Sequence, residues 1–533
     1  MNLRYTSLSR RRALQLGGGA VVLAAGVTGV TGCGTKETTG KLVTTAARIP
    51  EPYTVPLPIP AQARPTGRAN GTDRYEVEQR EASVEILPGL KTKIWGYDGT
   101  FPGPTFVARS NVKTLLVVRN SLPVPTSTHL HGGVTPPDSD GYPTDLLVPV
   151  GGSADDWKPK TGGGGHAAHM GTSGWTFHEG ERTYEYPLQQ RAATLWYHDH
   201  RMDFSAPQVW RGLAGVFLVR DAEEEALPLP SGDRDVPLML TDRAFEEDGS
   251  FRYPSLDPSL KDEPGVEGDF HAGVLGDVQL VNGAPWPVME VSNTRYRFRL
   301  VNASNARRYT LALERDGKGA GEIVQIGSDV GLLAAPVSHR TITLSPGERF
   351  DVVVDFSDVP LDSTVDMVNT LGEKGMAKVM RFRVTKRAKD DSRVPDRLST
   401  PPRVSRGDAV KHRSFDFRLT REDGDHEMWT INGRPFSTDE TWAKPREGTV
   451  ERWTLSSDFH HPVHLHMAHF KVISRSGKDP AATDAGWKDT VDVRPYEAVE
   501  VLVRFDGYRG RYMLHCHNLE HEDMAMMANF DVV

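Results

Sequence analysis

A cysteine stands between two histidines near the end of the chain, in the stretch MLHCHNLEHEDMAMM at residues 513–527. The only other cysteine, Cys33, lies far away in the amino-terminal leader, so Cys516 has no plausible disulfide partner. Thiolate and imidazole are ligands for transition metals. The spacing of these side chains therefore points to metal chemistry.

Histidines two positions apart occur four times in the sequence. Random placement of 19 histidines over 533 residues would give only about 0.6 such pairs. Side chains at i and i+2 of a strand point to the same face, so each pair can offer two imidazoles to one site. The surrounding sequences TSTHLHG, ATLWYHDH, HPVHLH and RYMLHCH are typical of strands. The pairs are His129 and His131, His198 and His200, His464 and His466, and His515 and His517.

Cys516 points to the opposite strand face from its two neighbouring histidines and must therefore serve a different site. His461, His521 and Met526 are the further ligand candidates for that site. Two imidazoles, a thiolate and a weak axial thioether form the ligand set of a blue-copper centre. A single histidine pair could equally bind zinc or form a polar patch, but four pairs together with the cysteine favour copper.

The segments THLHGG, WYHDH, HPVHLH and HCHNLEHEDMAMM together resemble the four copper motifs of the multicopper oxidases. The resemblance extends over residues 75–533 and is strongest to the branch of spore-coat laccase, bilirubin oxidase and phenoxazinone synthase. It implies three cupredoxin-like domains and four copper ions per chain. It also implies a type 1 copper, a type 2 copper and a binuclear type 3 pair. The implied ligands are His461, Cys516, His521 and Met526 for type 1; His129 and His464 for type 2; and His131, His198, His200, His466, His515 and His517 for type 3.

The resemblance also assigns roles to side chains beside the ligands. Asp140 and Glu522 match acidic positions that the family associates with its oxygen and solvent channel. Each could relay protons or only accept hydrogen bonds from ligand imidazoles. The edge of His521 is expected to reach solvent and to receive electrons. An axial Met526 is expected to give a low to middling redox potential within the family.

Short β-rich runs bounded by Gly, Pro, Asn and Asp predict an all-β protein of antiparallel Greek-key sandwiches. A recurring plan, seen in YDGTFPGPTF, VNGAPWPVMEV and INGRPFSTDE, indicates three domains. We place them at residues 73–225, 226–390 and 405–533. Two copper motifs fall in the first and two in the third, so the trinuclear cluster is expected at the interface of those two domains. The middle domain is expected to be a metal-free spacer.

The amino terminus contains an export signal. The run Ser9-Arg-Arg-Arg-Ala-Leu14 followed by a short apolar stretch is typical of a twin-arginine signal. The sequence VTGC at residues 30–33 resembles a lipobox, which predicts cleavage of residues 1–33 and a lipid anchor on Cys33 at the outer face of the membrane. The alternative is an ordinary cleaved signal with an incidental cysteine. Either outcome predicts an extracytoplasmic protein, and residues 34–72 are expected to form an extended linker.

The net charge of −8 and the lack of a basic run give no indication of nucleic-acid binding. A Gly-rich insertion at residues 151–176 contains His166, His169 and Met170. It is expected to be a mobile surface loop, with auxiliary copper binding as the alternative.

The resemblance implies a laccase-like enzyme that oxidises phenols or aromatic amines and reduces O₂ to water. Coupling of o-aminophenol, oxidation of bilirubin and oxidation of Cu(I) or Mn(II) remain open, because they share the same ligands. A copper-binding electron-transfer or storage protein is the alternative without catalysis. Copper nitrite reductase is disfavoured, since it lacks the type 3 histidines.

Overall fold

The computed structural model describes residues 39–158, 174–421 and 427–533. The predicted signal, Cys33 and the loop residues His166, His169 and Met170 lie outside this part of the chain. The described residues form mostly β-strands with three short α-helices. No helix among them is both long and apolar enough to cross a bilayer.

The first sandwich consists of two sheets that enclose a core of aromatic and aliphatic side chains, including Tyr97, Phe106 and Tyr197. One sheet has the order β10-β6-β3-β2 with β4 paired to β3, and the other has the order β5-β12-β11-β7. In β10 the buried and exposed residues alternate strictly, which is the pattern that the sequence ERTYEY predicts. The first twelve strands and two helices are β1 (Lys41–Leu42), β2 (Gly67–Ala69), β3 (Thr72–Val84), β4 (Thr92–Tyr97), β5 (Gly103–Arg109), β6 (Thr114–Asn120), β7 (Thr128–His131), β8 (Asp145–Val148), β9 (Thr176–Glu179), β10 (Glu181–Tyr186), β11 (Ala193–Asp199), α1 (Ser205–Arg211), β12 (Ala214–Arg220) and α2 (Ala222–Glu225).

The middle sandwich has its own core, built around Phe298, Phe350 and Phe382. Its sheets have the orders β16-β15-β13-β18-β24-β21-β22 and β17-β26-β25-β19-β20, with β23 paired to β19. Its strands are β13 (Asp235–Arg243), β14 (Val274–Leu275), β15 (Val278–Val281), β16 (Ala284–Pro285), β17 (Val288–Ser292), β18 (Arg295–Asn302), β19 (Tyr309–Arg315), β20 (Lys318–Gly319), β21 (Ile323–Ser328), β22 (Gly331–His339), β23 (Ile342–Leu344), β24 (Arg349–Asp355), β25 (Thr364–Asn369) and β26 (Lys378–Lys386).

The third sandwich packs around Trp453, Phe505 and Phe530, and its core includes Cys516 and Met526. The two sheets have the orders β28-β27-β29-β33-β31 and β32-β30-β34-β35. The last strands and helix are β27 (Ala409–Arg421), β28 (Glu427–Ile431), β29 (Val450–Ser457), β30 (His461–Leu465), β31 (His469–Arg475), β32 (Thr490–Val493), β33 (Ala498–Arg504), β34 (Gly510–Cys516), α3 (Leu519–Asp523) and β35 (Met527–Val532).

The three sandwiches repeat one strand plan. In each, two strands that are not neighbours in sequence pair in parallel: β3 with β6, β13 with β18, and β27 with β29. The all-β fold with three cupredoxin-like sandwiches is therefore as predicted. The sheets are mixed rather than purely antiparallel, because a chain that crosses between two sheets returns beside an earlier strand in the same direction.

Residues 39–66 are extended, and they lie against the sandwiches. β1 pairs in parallel with β14, and Val43 is buried. Farther along, isolated bridges join Pro56 to Val288 and Gln62 to Thr105. The described part of the expected linker is thus packed along its length.

A buried ionic cluster joins the end of the first sandwich to the middle one. Glu224, on α2, lies 2.5 Å from Arg299, 2.6 Å from Arg297 and 3.1 Å from Arg220. Burial alone would raise the pKa of Glu224, but the three guanidinium groups outweigh it and lower the pKa to about 2.

We predict that Glu224→Gln destabilises the protein at neutral pH and reduces the stability that the protein loses on acidification. The folded carboxylate has the lower pKa, so its contribution of about 3 kcal/mol is complete above the unfolded value and is lost as the pH falls through about 2. Thermal melts between pH 7 and pH 2 measure this difference. Glu225→Gln, which removes an exposed pair with Arg109, is the matched control and should change little.

Candidate metal centres

Three donor atoms converge inside the third sandwich. His461 begins β30, Cys516 ends β34, and His521 lies on α3. The distances are 3.4 Å from His461 Nδ1 to Cys516 Sγ, 3.5 Å from Sγ to His521 Nδ1, and 3.1 Å between the two nitrogens. The centre of a triangle with these sides lies about 2 Å from each corner, which is the length of a metal–nitrogen bond.

The surroundings of this triangle favour a bound cation. All three side chains are fully buried, and burial raises the pKa of the Cys516 thiol while it lowers the pKa values of His461 and His521. A buried thiolate without a positive partner is costly, and a metal ion supplies that charge. Met526 is also buried, and its carbonyl accepts from the amide of Cys516 at 3.1 Å while its amide donates to His521 O at 3.0 Å. Soft sulfur and neutral imidazole together suit copper.

The expectation that an edge of His521 reaches solvent is wrong, because this side chain is 0% exposed. His521 Nε2 donates to Ala272 O at 3.2 Å, and the Trp429 indole stacks on the ring with centroids 3.9 Å apart. Trp429 Nε1 in turn donates to His271 O at 2.9 Å. The segment 268–275 of the middle sandwich, to which β1 is paired, therefore covers this imidazole.

Eight further histidines meet between the first and third sandwiches. Strand pairing brings them close: His129 is opposite His198 in β7 and β11, and His464 is opposite His515 in β30 and β34. All are at most 1% exposed. The eight are His129, His131, His198, His200, His464, His466, His515 and His517.

These imidazoles form three sub-groups. His515 Nε2 lies 3.4 Å from His200 Nε2 and 3.2 Å from His466 Nε2. His129 Nε2 lies 3.4 Å from His464 Nε2. The ring of His517 lies 4.9 Å from that of His131 and 5.3 Å from that of His198, measured between centroids. The two predicted type 2 ligands and the six predicted type 3 ligands thus lie together in one cluster, with further close ring contacts between His131 and His464 and between His129 and His466.

Acceptors on the far side of the rings decide which nitrogen faces the cluster. Nδ1 donates to a backbone carbonyl in His129, His198, His464 and His515, at 2.5, 2.8, 3.0 and 3.0 Å. A proton held on Nδ1 leaves the lone pair on Nε2. His131 is reversed: its Nε2 lies 3.1 Å from Asp489 Oδ1, so Nδ1 is the nitrogen left to the cluster.

The free nitrogens fit a metal cluster. His131 Nδ1, His198 Nε2 and both ring nitrogens of His517 are buried without a hydrogen-bond partner. Such unsatisfied atoms are costly in a folded protein unless a ligand binds them. Burial lowers the pKa values of seven of the histidines, that of His198 to about 4, so the rings are neutral and their lone pairs are available. The seven are His129, His131, His198, His200, His464, His466 and His517.

The two predicted acidic residues both contact the group formed by His200, His466 and His515. Asp140 Oδ2 lies 2.6 Å from His466 Nδ1. The two carboxyl oxygens of Glu522 lie 3.2 Å from His200 Nδ1 and 3.2 Å from His515 Nδ1. Burial raises the pKa of Asp140. Asp140 thus has the hydrogen-bond-acceptor role at His466, whereas the two Glu522 oxygens, without a hydrogen-bond partner among the described residues, lie near two outer nitrogens.

Several side chains at the site carry no signal in the sequence. Asp489 and Trp429 contact predicted ligands, although neither belongs to a recognisable spacing pattern. Two histidines outside the predicted ligand set also lie here: His469 donates to Gly132 O at 3.3 Å, and His460 lies 3.4 Å from Asp492 Oδ1. These positions become evident only when distant segments are brought together.

Comparison with known proteins gives a consistent family. Family models described as multicopper oxidase match residues 411–533 and residues 78–155 and 168–224. The chain is 35% identical to a laccase of Bacillus subtilis, over 90% of this chain and 98% of the relative. It is 34% identical to a bilirubin oxidase of Albifimbria verrucaria, over 93% and 84% of the two chains. The crystal structure of a multi-copper oxidase from Pediococcus acidilactici superposes with a TM-score of 0.75 at 28% identity, covering 92% and 93% of the chains.

We predict that Cys516→Ser abolishes the intense blue absorption of the copper-loaded protein and nearly all turnover. A serine hydroxyl cannot supply the soft charged sulfur on which this metal site depends. Visible spectra, copper content per chain and oxygen uptake provide the measurement. The companion variant His464→Ala should keep the blue colour and stop oxygen reduction; oxygen uptake retained in the serine variant would contradict the assignment.

Proposed function

This chain belongs to the multicopper oxidase family and is a laccase-like oxidoreductase, and on that premise we propose that its electron donors are phenols and aromatic amines. When bound, copper supplies one-electron redox chemistry at four sites, which matches one-electron donors to the four-electron reduction of O₂. His461, Cys516 and His521 would hold one ion, with the buried Met526 as the further candidate ligand. The eight histidines at the interface would hold the other three.

The observation that supports this proposal most strongly is the covalent connection between the two donor sets. Cys516 belongs to the first set, and its sequence neighbours His515 and His517 belong to the second. Their peptide bonds join the two centres directly, and His515 Nδ1 adds a hydrogen bond to Cys516 O at 3.0 Å. An electron-transfer or storage protein would gain nothing from this connection.

Asp140 accepts from the outer nitrogen of His466, Glu522 lies beside those of His200 and His515, and we infer that orienting these rings is their main role. A carboxylate at Nδ1 keeps the proton there and directs the lone pair of Nε2 inward. Glu522 lies between two rings, with one oxygen at each. This position also suits it to pass a proton, so the relay role is retained as part of the proposal.

Donor molecules would approach His521 over the segment 268–275, which covers its imidazole. His271 is exposed and Ala272 is half-buried, and the Ala272 carbonyl is hydrogen-bonded to His521 Nε2. A phenol ring lying against this segment is separated from the imidazole by a single backbone carbonyl. Phe459 is half-buried on the same core as Ala272, its ring centroid lies 6.0 Å from that of His521, and its apolar ring suits an aromatic donor.

Oxygen and water would use a cleft on another side of the cluster. A cavity of about 290 Å³ is lined by residues of all three sandwiches, including Val134, Val330 and His469. His469 Nε2 donates to the carbonyl of Gly132, which directly follows His131. The cleft therefore approaches the interface histidines from solvent.

We also propose that the protein works outside the cytoplasm. The support comes from sequence alone: the run of three arginines at residues 10–12, the short apolar stretch after it, and the lipobox-like VTGC that ends at Cys33. These features suit export by the twin-arginine route, followed by acylation of Cys33 and anchoring at the cell surface.

Steady-state oxygen uptake with a panel of donors tests the substrate class. We expect simple phenols and aromatic amines to give the highest kcat/KM, above bilirubin, Cu(I) and Mn(II). Ala272→Gln should raise KM for the phenol several-fold and leave KM for O₂ unchanged, because it alters only the donor face. Ala320→Gln, at a half-buried alanine that packs on the middle core, is the control. A kcat/KM that is highest for bilirubin or for a metal ion would refute the proposed donor class.

Cell fractionation tests the location. Cys33→Ala should move the protein from the membrane fraction to the soluble extracytoplasmic fraction, since it removes the only thiol that could be acylated there. Replacing Arg10 and Arg11 by lysine should retain the precursor inside the cell. Unchanged membrane association of the alanine variant would show that Cys33 is not the anchor.

A further inference from the structure

The middle sandwich supplies no ligand candidate to the described clusters, yet it reaches the interface histidines. The segment 345–349, SPGER, connects β23 to β24 and enters the junction of the three sandwiches. Gly347 approaches the ring of His131 directly, and Arg349 reaches the same ring through Asp489. The middle sandwich is therefore more than a spacer between the other two, because it contacts a predicted ligand.

Arg349 is fully buried, and all five of its guanidinium N–H groups have acceptors. Nε donates to Thr194 O at 3.0 Å in the first sandwich. Nη1 donates to Gly347 O at 2.8 Å and to Asp489 Oδ1 at 2.7 Å; Nη2 donates to Asp329 O at 3.0 Å and to Asp489 Oδ2. One side chain thus bonds to all three sandwiches, and its planar fork grips both oxygens of Asp489.

Asp489 connects Arg349 to His131, a predicted copper ligand. Its Oδ1 lies 3.1 Å from His131 Nε2 and accepts from Thr490 Oγ1 at 2.8 Å. Its backbone amide donates to Asp329 Oδ2 at 3.3 Å, so the residue is held at both ends from the middle sandwich. Because Asp489 accepts at Nε2, the lone pair of His131 lies on Nδ1, the reverse of the four rings that donate from Nδ1 to carbonyls.

Two glycines make this close packing possible. Gly132 follows His131 at φ +86, and a Cβ there would lie 2.5 Å from Arg349 Nη2 and 2.8 Å from Asp489 Oδ2. Gly347 has φ +82, and a Cβ there would lie 3.0 Å from His131 Cε1 and 3.0 Å from His517 Cδ2. The second glycine of the HLHGG motif is free of such backbone strain, so Gly132 is the one that the guanidinium requires.

We propose that Arg349 and Gly347 are positioning residues for the trinuclear copper cluster, acting on His131 through Asp489 and through direct contact with its ring. The proposal rests on the proposed function, because His131 is taken as a copper ligand. Arg349 fixes the carboxylate, the carboxylate fixes the ring orientation and tautomer, and Gly347 leaves room for the rings of His131 and His517. The metal-free sandwich is therefore part of the oxygen-reducing site.

The chain provides a matched control for the arginine. Arg299 is 1% exposed, lies on the neighbouring strand β18, and donates to Asp235, Glu224 and Thr194 Oγ1. Its carboxylate partners are bonded to other arginines instead of to a histidine. Replacing either arginine by lysine removes a buried guanidinium group, but only Arg349→Lys releases a carboxylate that orients a ligand ring.

The first comparison uses Arg349→Lys and Arg299→Lys in the copper-loaded full chain. We expect both to lower the melting temperature and to keep the blue absorption. Only Arg349→Lys should lose copper from the interface and the near-ultraviolet absorption of the type 3 pair, with turnover lower by about 10- to 100-fold. Equal copper content and equal near-ultraviolet absorption in the two variants would overturn the proposal.

The second comparison does not disturb any ion pair and remains decisive if the lysine variant fails to fold. Gly347→Ala and Gly317→Ala both place a side chain at a left-handed backbone position, with φ of +82 and +71. Nothing lies within 4 Å of a Cβ at Gly317. We expect loss of type 3 absorption and of interface copper in Gly347→Ala alone. Full copper loading of that variant would also overturn the proposal.

The unmodified protein separates this inference from the proposed function. If it binds fewer than four copper ions, or shows no type 3 absorption and no oxygen uptake with any phenol, the proposed function itself is wrong. If it has all of these properties and the paired variants behave alike, only the positioning role is wrong.

Discussion

Neutral imidazoles inside a dry protein need an acceptor for the proton on one nitrogen before the other can bind a metal ion. The structure meets this need for most of the rings: backbone carbonyls accept from Nδ1 of four interface histidines, Asp140 accepts from His466 Nδ1, and a Glu522 oxygen lies 3.2 Å from His200 Nδ1. Asp489 holds His131 from the other nitrogen. Where such an acceptor is present it sets the direction of the lone pair, and these acceptors together shape the site that copper would occupy. His517 has no acceptor at either ring nitrogen among the described residues.

This requirement explains why the site is assembled from separate sandwiches. The rings come in pairs from strand ends of the first and third sandwiches, while the carboxylates of Asp140, Asp489 and Glu522 come from segments outside those strands. Burial lowers the pKa values of most of these histidines, and several ring nitrogens have no partner within the protein. Such a cluster is unfavourable until metal binds, so copper binding and the docking of the sandwiches are expected to stabilise each other.

The sequence is most informative where chemistry follows local spacing. The HxH pairs and the HCH tripeptide predict both donor sets, since i and i+2 side chains share a strand face and Cys516 between them does not. The alternation in ERTYEY likewise predicts β10. The cover over His521 could not be foreseen, because it depends on segment 268–275 folding across a different sandwich. The reversed ring of His131 also depends on contacts between residues far apart in sequence: Arg349 and Asp489 are 140 positions apart, and Asp489 and His131 are 358 positions apart.

Anomalous diffraction from crystals of the copper-loaded protein tests the orientation of the ligand rings most directly. It should locate one ion among His461 Nδ1, Cys516 Sγ and His521 Nδ1, and three among the interface histidines, with His131 binding through Nδ1 and its group partner His198 through Nε2. Fewer than three interface ions, or His131 bound through Nε2 with Asp489 turned away, would contradict the view that outer acceptors determine the geometry of the site.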